Sequence, residues 1–311
     1  MKTRKKQHNK KKHNHHNHHN HNDVSHCMKK QNKTKTIKLG CSPNVNHGKD
    51  YTCYNSSSLI KLRDLWNGRH PDLLIESNDD IEIWKSLKNY MSDVCKTEKC
   101  WLKQNFASNN LTDELKNYTF VPDRPKKWKE NKNEWLNSLD IERVMKQYEK
   151  KHNNFDFLGP SPIDFNKKLS DNTCVWDELC NFDLKENLLK NKTKIGIIFN
   201  TDPHYLGGSH WISMFIDINK EFILFFDSTG DHLPKEIKQF INKIKKQGND
   251  IGIKFKVYIN KKKHQKGNSE CGMYSLHTII GLLDNEHDVN FFLNYDIPDK
   301  NMEKLRQVYF N

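Results

Sequence analysis

The sequence predicts an α+β protein: a central, mostly antiparallel sheet flanked by helices and preceded by a helical N-terminal module. Three observations predict it. Four strand-like runs cluster in the second half of the chain: KIGIIFN (194–200), HWISMFIDI (210–218), EFILFFDS (221–228) and IKFKVYIN (253–260). The middle two are apolar almost throughout, as in central strands covered on both faces. Helical apolar spacing lies before and after them, and strands grouped between helices define the α+β class.

Taken in order, residues 1–40 carry twelve Lys/Arg against one acid, Asp23, and eight of the 17 His. Their net charge of +11 leaves only +2 for the rest of a +13 chain, so the basic character belongs to a tail. Such a segment repels itself and buries nothing, which predicts disorder and accords with the mean hydropathy of -0.95. A solvated tail, nonspecific contact with nucleic acid or an import receptor, and metal binding by the His tract all remain open for it. No apolar stretch follows the basic start and no run of ~18 apolar residues exists, so neither secretion nor a membrane span is expected.

Residues 41–102 read as mostly helical. Trp84, Leu87, Met91 and Val94 mark one face of a helix that Asn78 or Asp79 would cap. Residues 103–133 are polar, contain Pro122, Pro125 and many Lys, and read as a linker. Ile141, Val144, Met145 and Tyr148 mark a second amphipathic helix, and Asn219-Lys220 a short hairpin connection. Ile237, Phe240, Ile241 and Ile244 line a third helix that stops at Gly248, and another begins near Cys271 and runs through Leu276, Ile280 and Leu283. The expected division is a tail (1–40), a Cys-containing helical module with linker (41–125) and a catalytic domain (126–311).

Three segments carry the chemistry: Gly207-Gly208-Ser209-His210-Trp211, Phe226-Asp227-Ser228-Thr229-Gly230, and a polar loop from His264 to Gly272. A thiol with a free pKa of ~8.5 is mostly protonated at neutral pH, and a helix N-terminus favours the thiolate. Cys271 opens a helix, and Gly272 leaves room for a substrate backbone. His210 and Asp227 lie at the outer ends of two strands joined by a short turn, so antiparallel pairing brings base and orienting acid together. Asp231 is the other acid within reach of that role. Gln265 and the Cys271 N–H would be the oxyanion donors. Each residue alone is weak evidence; the order His, Asp, Gln, Cys-Gly in matching strand and helix contexts is specific.

At these residues the chain resembles the ubiquitin-like-protein protease superfamily, the clan of SUMO proteases and the adenovirus processing protease. The clan's order of His-Trp, acid, Gln and Cys-Gly is filled by His210-Trp211, Asp227, Gln265 and Cys271-Gly272, and Trp135-Leu136-Asn137 resembles the opening of the SUMO-protease domain. Closer still is the resemblance to thiol proteases of large DNA viruses, carried by 144–165, 195–217 and 264–276. The resemblance implies a papain-like cysteine protease fold, no cofactor or metal, and cleavage after small residues of the Gly-Gly or Gly-Xaa type. It also implies a viral precursor or a ubiquitin-like conjugate as substrate, and a place in the virion or the host cytoplasm. Trp211 would roof the channel that admits glycine, with Gly272 and Trp135 beside it. An isopeptidase, an acetyltransferase with the same residue order, and a nucleic-acid-associated structural protein are the rival readings.

The other cysteines are less telling. Without a secretory signal, free thiols or a metal site are the default. Cys41, Cys53, Cys95 and Cys100 leave zinc, disulfides and buried thiols open, because neither interval is the Cys-x2-Cys of strong zinc sites. Cys174 and Cys180, near Trp176, read as buried packing residues.

Overall fold

Alternation along two neighbouring strands decides the architecture. In β4 (Trp211–Asp217) every residue is buried, and in its neighbour β5 (Phe222–Phe226) all but the first. Successive side chains point to opposite faces. Trp211, Phe215, Leu224 and Phe226 therefore enter one hydrophobic core, while Ile212, Met214, Ile216, Ile223 and Phe225 enter another. Apolar runs without polar alternation are what such two-sided burial requires.

The structure is a computed structural model, described for residues 39–311, all of which belong to one compact unit. Expectations for the basic tail fall outside the described residues up to position 38. The helices are α1 (Ser56–Asn67), α2 (Asp80–Tyr90), α3 (Glu98–Trp101), α4 (Asp113–Tyr118), α5 (Ser138–Lys151), α6 (Asp177–Cys180), α7 (Leu184–Leu189), α8 (Lys235–Asn249), α9 (Cys271–Leu283), α10 (Val289–Asn294) and α11 (Asp299–Tyr309). With β4 and β5 the strands are β1 (Phe155–Phe157), β2 (Ser161–Pro162), β3 (Lys194–Asn200) and β6 (Lys256–Ile259).

The sheet order is β1-β3-β4-β5-β6, with β2 also on β3. β3–β4 and β4–β5 are antiparallel; β1 and β2 join β3, and β6 joins β5, in parallel. The sheet is thus mixed: antiparallel at its centre, as the hairpin turn dictates, and parallel at both edges, where crossovers deliver the strands. α9 is buried along its whole length, which explains a helix apolar on all sides. α5 starts on a capping box: the Asn137 side chain accepts from the Asp140 N–H, and the Asp140 carboxylate accepts from the Asn137 N–H. α8 covers the opposite face with Ile237, Phe240, Ile241 and Ile244. Among the described residues no helix is long and apolar enough to cross a membrane.

The N-terminal segment departs from expectation in three places. α2 is capped by Asp79 as anticipated, but it ends at Tyr90, buries Ile83 and Leu87, and leaves Val94 66% exposed. The helix stops before the fourth position of the supposed face is reached. Residues 103–133 are not a loose linker. Phe106, Leu111, Leu115 and Phe120 fill the core built around Tyr54, Leu59 and Trp66, and Trp128 enters the core that holds Trp211 and Cys271. Gln147 of α5 donates to the carbonyls of Asn117 and Phe120. Apolar residues spaced between lysines have no period to read, so only their burial reveals them.

The third departure is in the cysteines. Cys41–Cys53, Cys95–Cys100 and Cys174–Cys180 are disulfides, with Cα atoms 5.3, 5.5 and 6.2 Å apart. Of the three readings left open for Cys41, Cys53, Cys95 and Cys100, the structure takes disulfides over zinc or free thiols, and the packing role read for Cys174 and Cys180 is corrected. Among the described residues Cys271 is the free thiol, and it is buried.

Candidate active site

The β4–β5 ladder carries the candidate base and the candidate acid to one end of the sheet. Its register pairs Ser213 with Phe226, so Asp227 lies one step beyond the last pair and His210 just ahead of β4. His210 Nε2 and Asp227 Oδ1 are 2.8 Å apart. Asp227 Oδ1 also accepts from the Thr229 N–H and hydroxyl, at 2.9 and 2.7 Å, and the Asn260 amide donates to the Asp227 carbonyl at 2.6 Å. Asp231, the other acid considered, lies 2.8 Å from the same Thr229 hydroxyl and competes for its one proton. Asp227 is thus held through its side chain and its carbonyl, and its carboxylate is aimed at the imidazole.

Burial alone would lower the His210 pKa, but hydrogen bonds and charges from Asp227 and Cys271 push it up to about 10. Burial likewise opposes ionisation of Asp227. The hydrogen bond and charge of His210, with the Thr229 donors, outweigh it and hold the carboxyl below its usual range. The imidazole thus sits between a carboxylate and the Cys271 side chain. With Nε2 committed to Asp227, Nδ1 is the ring nitrogen left for the thiol.

Cys271 is the first residue of α9, and Glu270 before it makes no side-chain cap hydrogen bond. The first-turn N–H groups have no partner within the helix, so the Cys271 thiol stands at an uncapped donor end. Gln265 is buried, and its Oε1 accepts from the Ser228 hydroxyl at 2.7 Å. That fixes which end of the amide carries the donors. One N–H goes to the Gly267 carbonyl at 2.9 Å, and the NH2 retains a second. The loop around Gln265 is pinned by Asp299, which accepts from the Gly267 N–H at 2.8 Å and from the Tyr274 hydroxyl at 2.9 Å.

A buried ion pair fastens the residue before Cys271. Arg306 of α11 donates through Nε to Glu270 Oε2 at 3.0 Å, through its other nitrogens to the carbonyls of Glu134 and Ser269, and stacks over Trp128. Burial pushes the Glu270 carboxyl upward despite the attraction of Arg306, as expected where desolvation rivals pairing. Asn260, Asp299 and Arg306 escaped the sequence reading, as did the roles of Ser228 and Glu270. Of these, Ser228, directly after Asp227, and Glu270, directly before Cys271, carried a local signal.

The three candidate substrate contacts separate. Trp211 is buried, and its indole N–H donates to the Leu136 carbonyl at 2.9 Å. A Cβ on Gly272 would come within 3.2 Å of Leu136 and 3.3 Å of Trp211, so the room this glycine makes is occupied by the protein's own side chains. Trp135 is 38% exposed. In Trp-Leu-Asn, then, the Trp faces solvent, the Leu packs under Trp211, and the Asn caps α5. Two cavities of about 330 and about 500 Å³ lie elsewhere, one lined by Asp217 and His287 and the other by Leu188 and Ile253.

Comparison with known proteins identifies the family. Residues 141–311 match the family described as the Ulp1 protease family, C-terminal catalytic domain. A protein of Acanthamoeba polyphaga mimivirus, named as a candidate thiol protease, is 29% identical over 87% of this chain and 92% of its own length. A cysteine protease of African swine fever virus is 32% identical over 37% of this chain and 43% of its own. The crystal structure of that virus's pS273R protease superposes with a TM-score of 0.64 at 20% identity, over 89% of this chain and 98% of that one, and so shares the fold. With a matched catalytic domain spanning more than half of its length, the chain belongs to the Ulp1 protease family and is a cysteine peptidase.

Proposed function

We propose that the protein is an endopeptidase that cleaves after small residues, of the Gly-Gly or Gly-Xaa type, in viral precursor proteins, with Cys271, His210 and Asp227 as its catalytic residues. The observation that carries this reading is the 2.8 Å contact of His210 with Asp227 beside the free Cys271 at the start of α9. His210, held protonated by Asp227 and Cys271, already carries the proton given up by the thiol, and Sγ attacks the scissile carbonyl carbon. The resulting oxyanion is met by the Cys271 N–H and the Gln265 amide. Collapse breaks the C–N bond, the His210 imidazolium protonates the leaving amine, and a thioester remains. Water, deprotonated by His210, hydrolyses the thioester and restores the thiol. Asp227 holds the ring orientation and stabilises the imidazolium throughout.

Trp211, packed on Leu136 and Gly272, would restrict the approach to the thiol, and exposed Trp135 would meet the substrate outside it. The same residues serve an isopeptidase acting on ubiquitin-like conjugates, and the substrate decides between the two. Residues 126–311 would form the catalytic domain, with 41–125 as accessory module. The tail of residues 1–40 would add salt-sensitive nucleic-acid contact within the virion or virus factory.

The test is to label the purified chain with an electrophilic peptide ending in Gly-Gly and identify the modified thiol by mass spectrometry. Selective labelling of Cys271, lost in His210→Ala, is expected; no labelling of Cys271 rejects the assignment. Turnover of a ubiquitin-like conjugate in preference to Gly-Gly peptides would move the reading to an isopeptidase.

A further inference from the structure

Two large apolar side chains stand in solvent a few residues ahead of the candidate base. Tyr205 is 67% and Leu206 56% exposed, at the tip of the loop joining β3 to β4. That loop closes at the active-site end of the sheet: the Thr201 N–H donates to the His210 carbonyl at 2.9 Å, continuing the β3–β4 ladder to His210 itself.

The loop is built to hold its tip still. The His204 N–H and ring Nδ1 meet the two oxygens of Asp164 at 2.8 and 2.7 Å, anchoring the loop to a separate segment. Asn200 Oδ1 accepts from the Asp202 N–H and the Ser209 N–H, tying the two arms together, and the Ser209 hydroxyl donates to Asp202 at 2.8 Å. Gly208 has φ +89°, and a Cβ there would fall 2.6 Å from the Asn200 amide, so the arms close only over glycine. Lys167 Nζ lies 5.2 Å from the Tyr205 ring centroid. Exposed apolar side chains on an ordered loop have already lost part of the entropy that binding would otherwise cost. Aromatic anchors are also enriched where a few residues dominate an interface.

We propose that the Tyr205–Leu206 tip is a specificity-determining contact that grips an apolar side chain of the protein substrate at a distance from the scissile bond. The occupant is the substrate rather than another partner because the loop is continuous with His210. The proposal rests on the active-site reading above. Its test uses the full chain and two probes: a minimal Gly-Gly peptide, and a library of extended peptides with a fixed Gly-Gly and randomised flanks.

The native chain is expected to select an apolar residue at a flanking position. The double variant Tyr205→Ser/Leu206→Ser loses that selection and about tenfold in kcat/KM on the best extended peptide, through KM, while cleaving the minimal peptide at the native rate. An unchanged flanking preference in the variant overturns the proposal. So does an equal loss on the minimal peptide, which would mean that the loop shapes His210 rather than reads substrate. If the native chain labels Cys271 and cleaves the minimal peptide, either result counts against the tip alone. If it does neither, the active-site reading falls first and takes the tip with it.

Discussion

The β4–β5 hairpin and the segment around α1 and α2 are both well buried, yet their chain signals differ sharply. The hairpin is held by a ladder whose register follows from a short turn, so two residues at its ends meet wherever the hairpin forms. The N-terminal module is held by disulfides, by Tyr54 stacked on Trp101, and by Glu98 accepting from the Cys53 N–H, contacts between residues whose partners no local period identifies. Chemistry carried by a ladder is legible in sequence; a core assembled from scattered side chains is not. Perturbing the hairpin end should therefore remove activity and spare the fold, and perturbing the module should do the reverse.

The largest effect is expected at the nucleophile. Cys271→Ala should lower kcat by about a millionfold, to background, with circular dichroism and melting temperature close to native. Residual turnover within about a hundredfold of native would break the assignment, since the remaining binding and oxyanion groups cannot supply that much. Asp227→Asn comes next, with an expected loss of about 10²- to 10⁴-fold in kcat as the imidazole loses its orienting carboxylate.

The pH profile separates that loss from a structural one. His210 is raised from 6.5 to about 10, so it stays protonated well above its ordinary value. Its pairing contributes stability fully below about pH 6.5, and that contribution is lost as pH rises through about 10. Asp227 is lowered, so its contribution is present above the ordinary carboxylate range and lost as pH falls through its depressed value. The alkaline limb of kcat/KM should accordingly lie near pH 10 and move toward neutrality in Asp227→Asn. An unmoved limb would show that Asp227 does not set the His210 proton affinity.

How much could be read in advance follows the same division. The four strands, the capping of α2 by Asp79 and the start of α9 at Cys271 were all legible, because period and capping act within a few residues. So was the meeting of His210 with Asp227, through the hairpin count. The Arg306–Glu270 pair joins residues 36 apart in sequence with no pattern between them, and the three disulfides depend on Cα separations that only the fold creates. Trp128 was hidden among lysines, and it packs under Arg306.

That buried pair sits on the border of the comparison, fastening the loop ahead of Cys271 to the last helix. Arg306→Met leaves the Glu270 carboxylate buried without its partner and should cost about 3–5 kcal/mol of stability. Glu270→Gln/Arg306→Met removes both charges and should recover much of it. A double variant no more stable than the single one would show that Arg306 acts through its carbonyl contacts and its stacking on Trp128 instead. In the module, Cys41→Ser/Cys53→Ser opens a loop of sequence separation 12 and should cost about 2–3 kcal/mol, with the rate of Cys271 alkylation unchanged.

The smallest effects sharpen the comparison most, because they test a single helix end. Apolar spacing puts Leu87 and Val94 on one face, but α2 stops at Tyr90 and leaves Val94 in solvent while Leu87 is fully buried. Leu87→Ala should therefore cost about 2–5 kcal/mol through the cavity it opens. Val94→Asp should change stability by no more than about 0.5 kcal/mol, as surface substitutions away from special features do. Urea denaturation of the two variants reads the difference directly. Comparable losses would mean that the helix continues past Tyr90 and buries Val94. The spacing would then have been the better guide to that face, and the contrast between a legible hairpin and an illegible module would narrow accordingly.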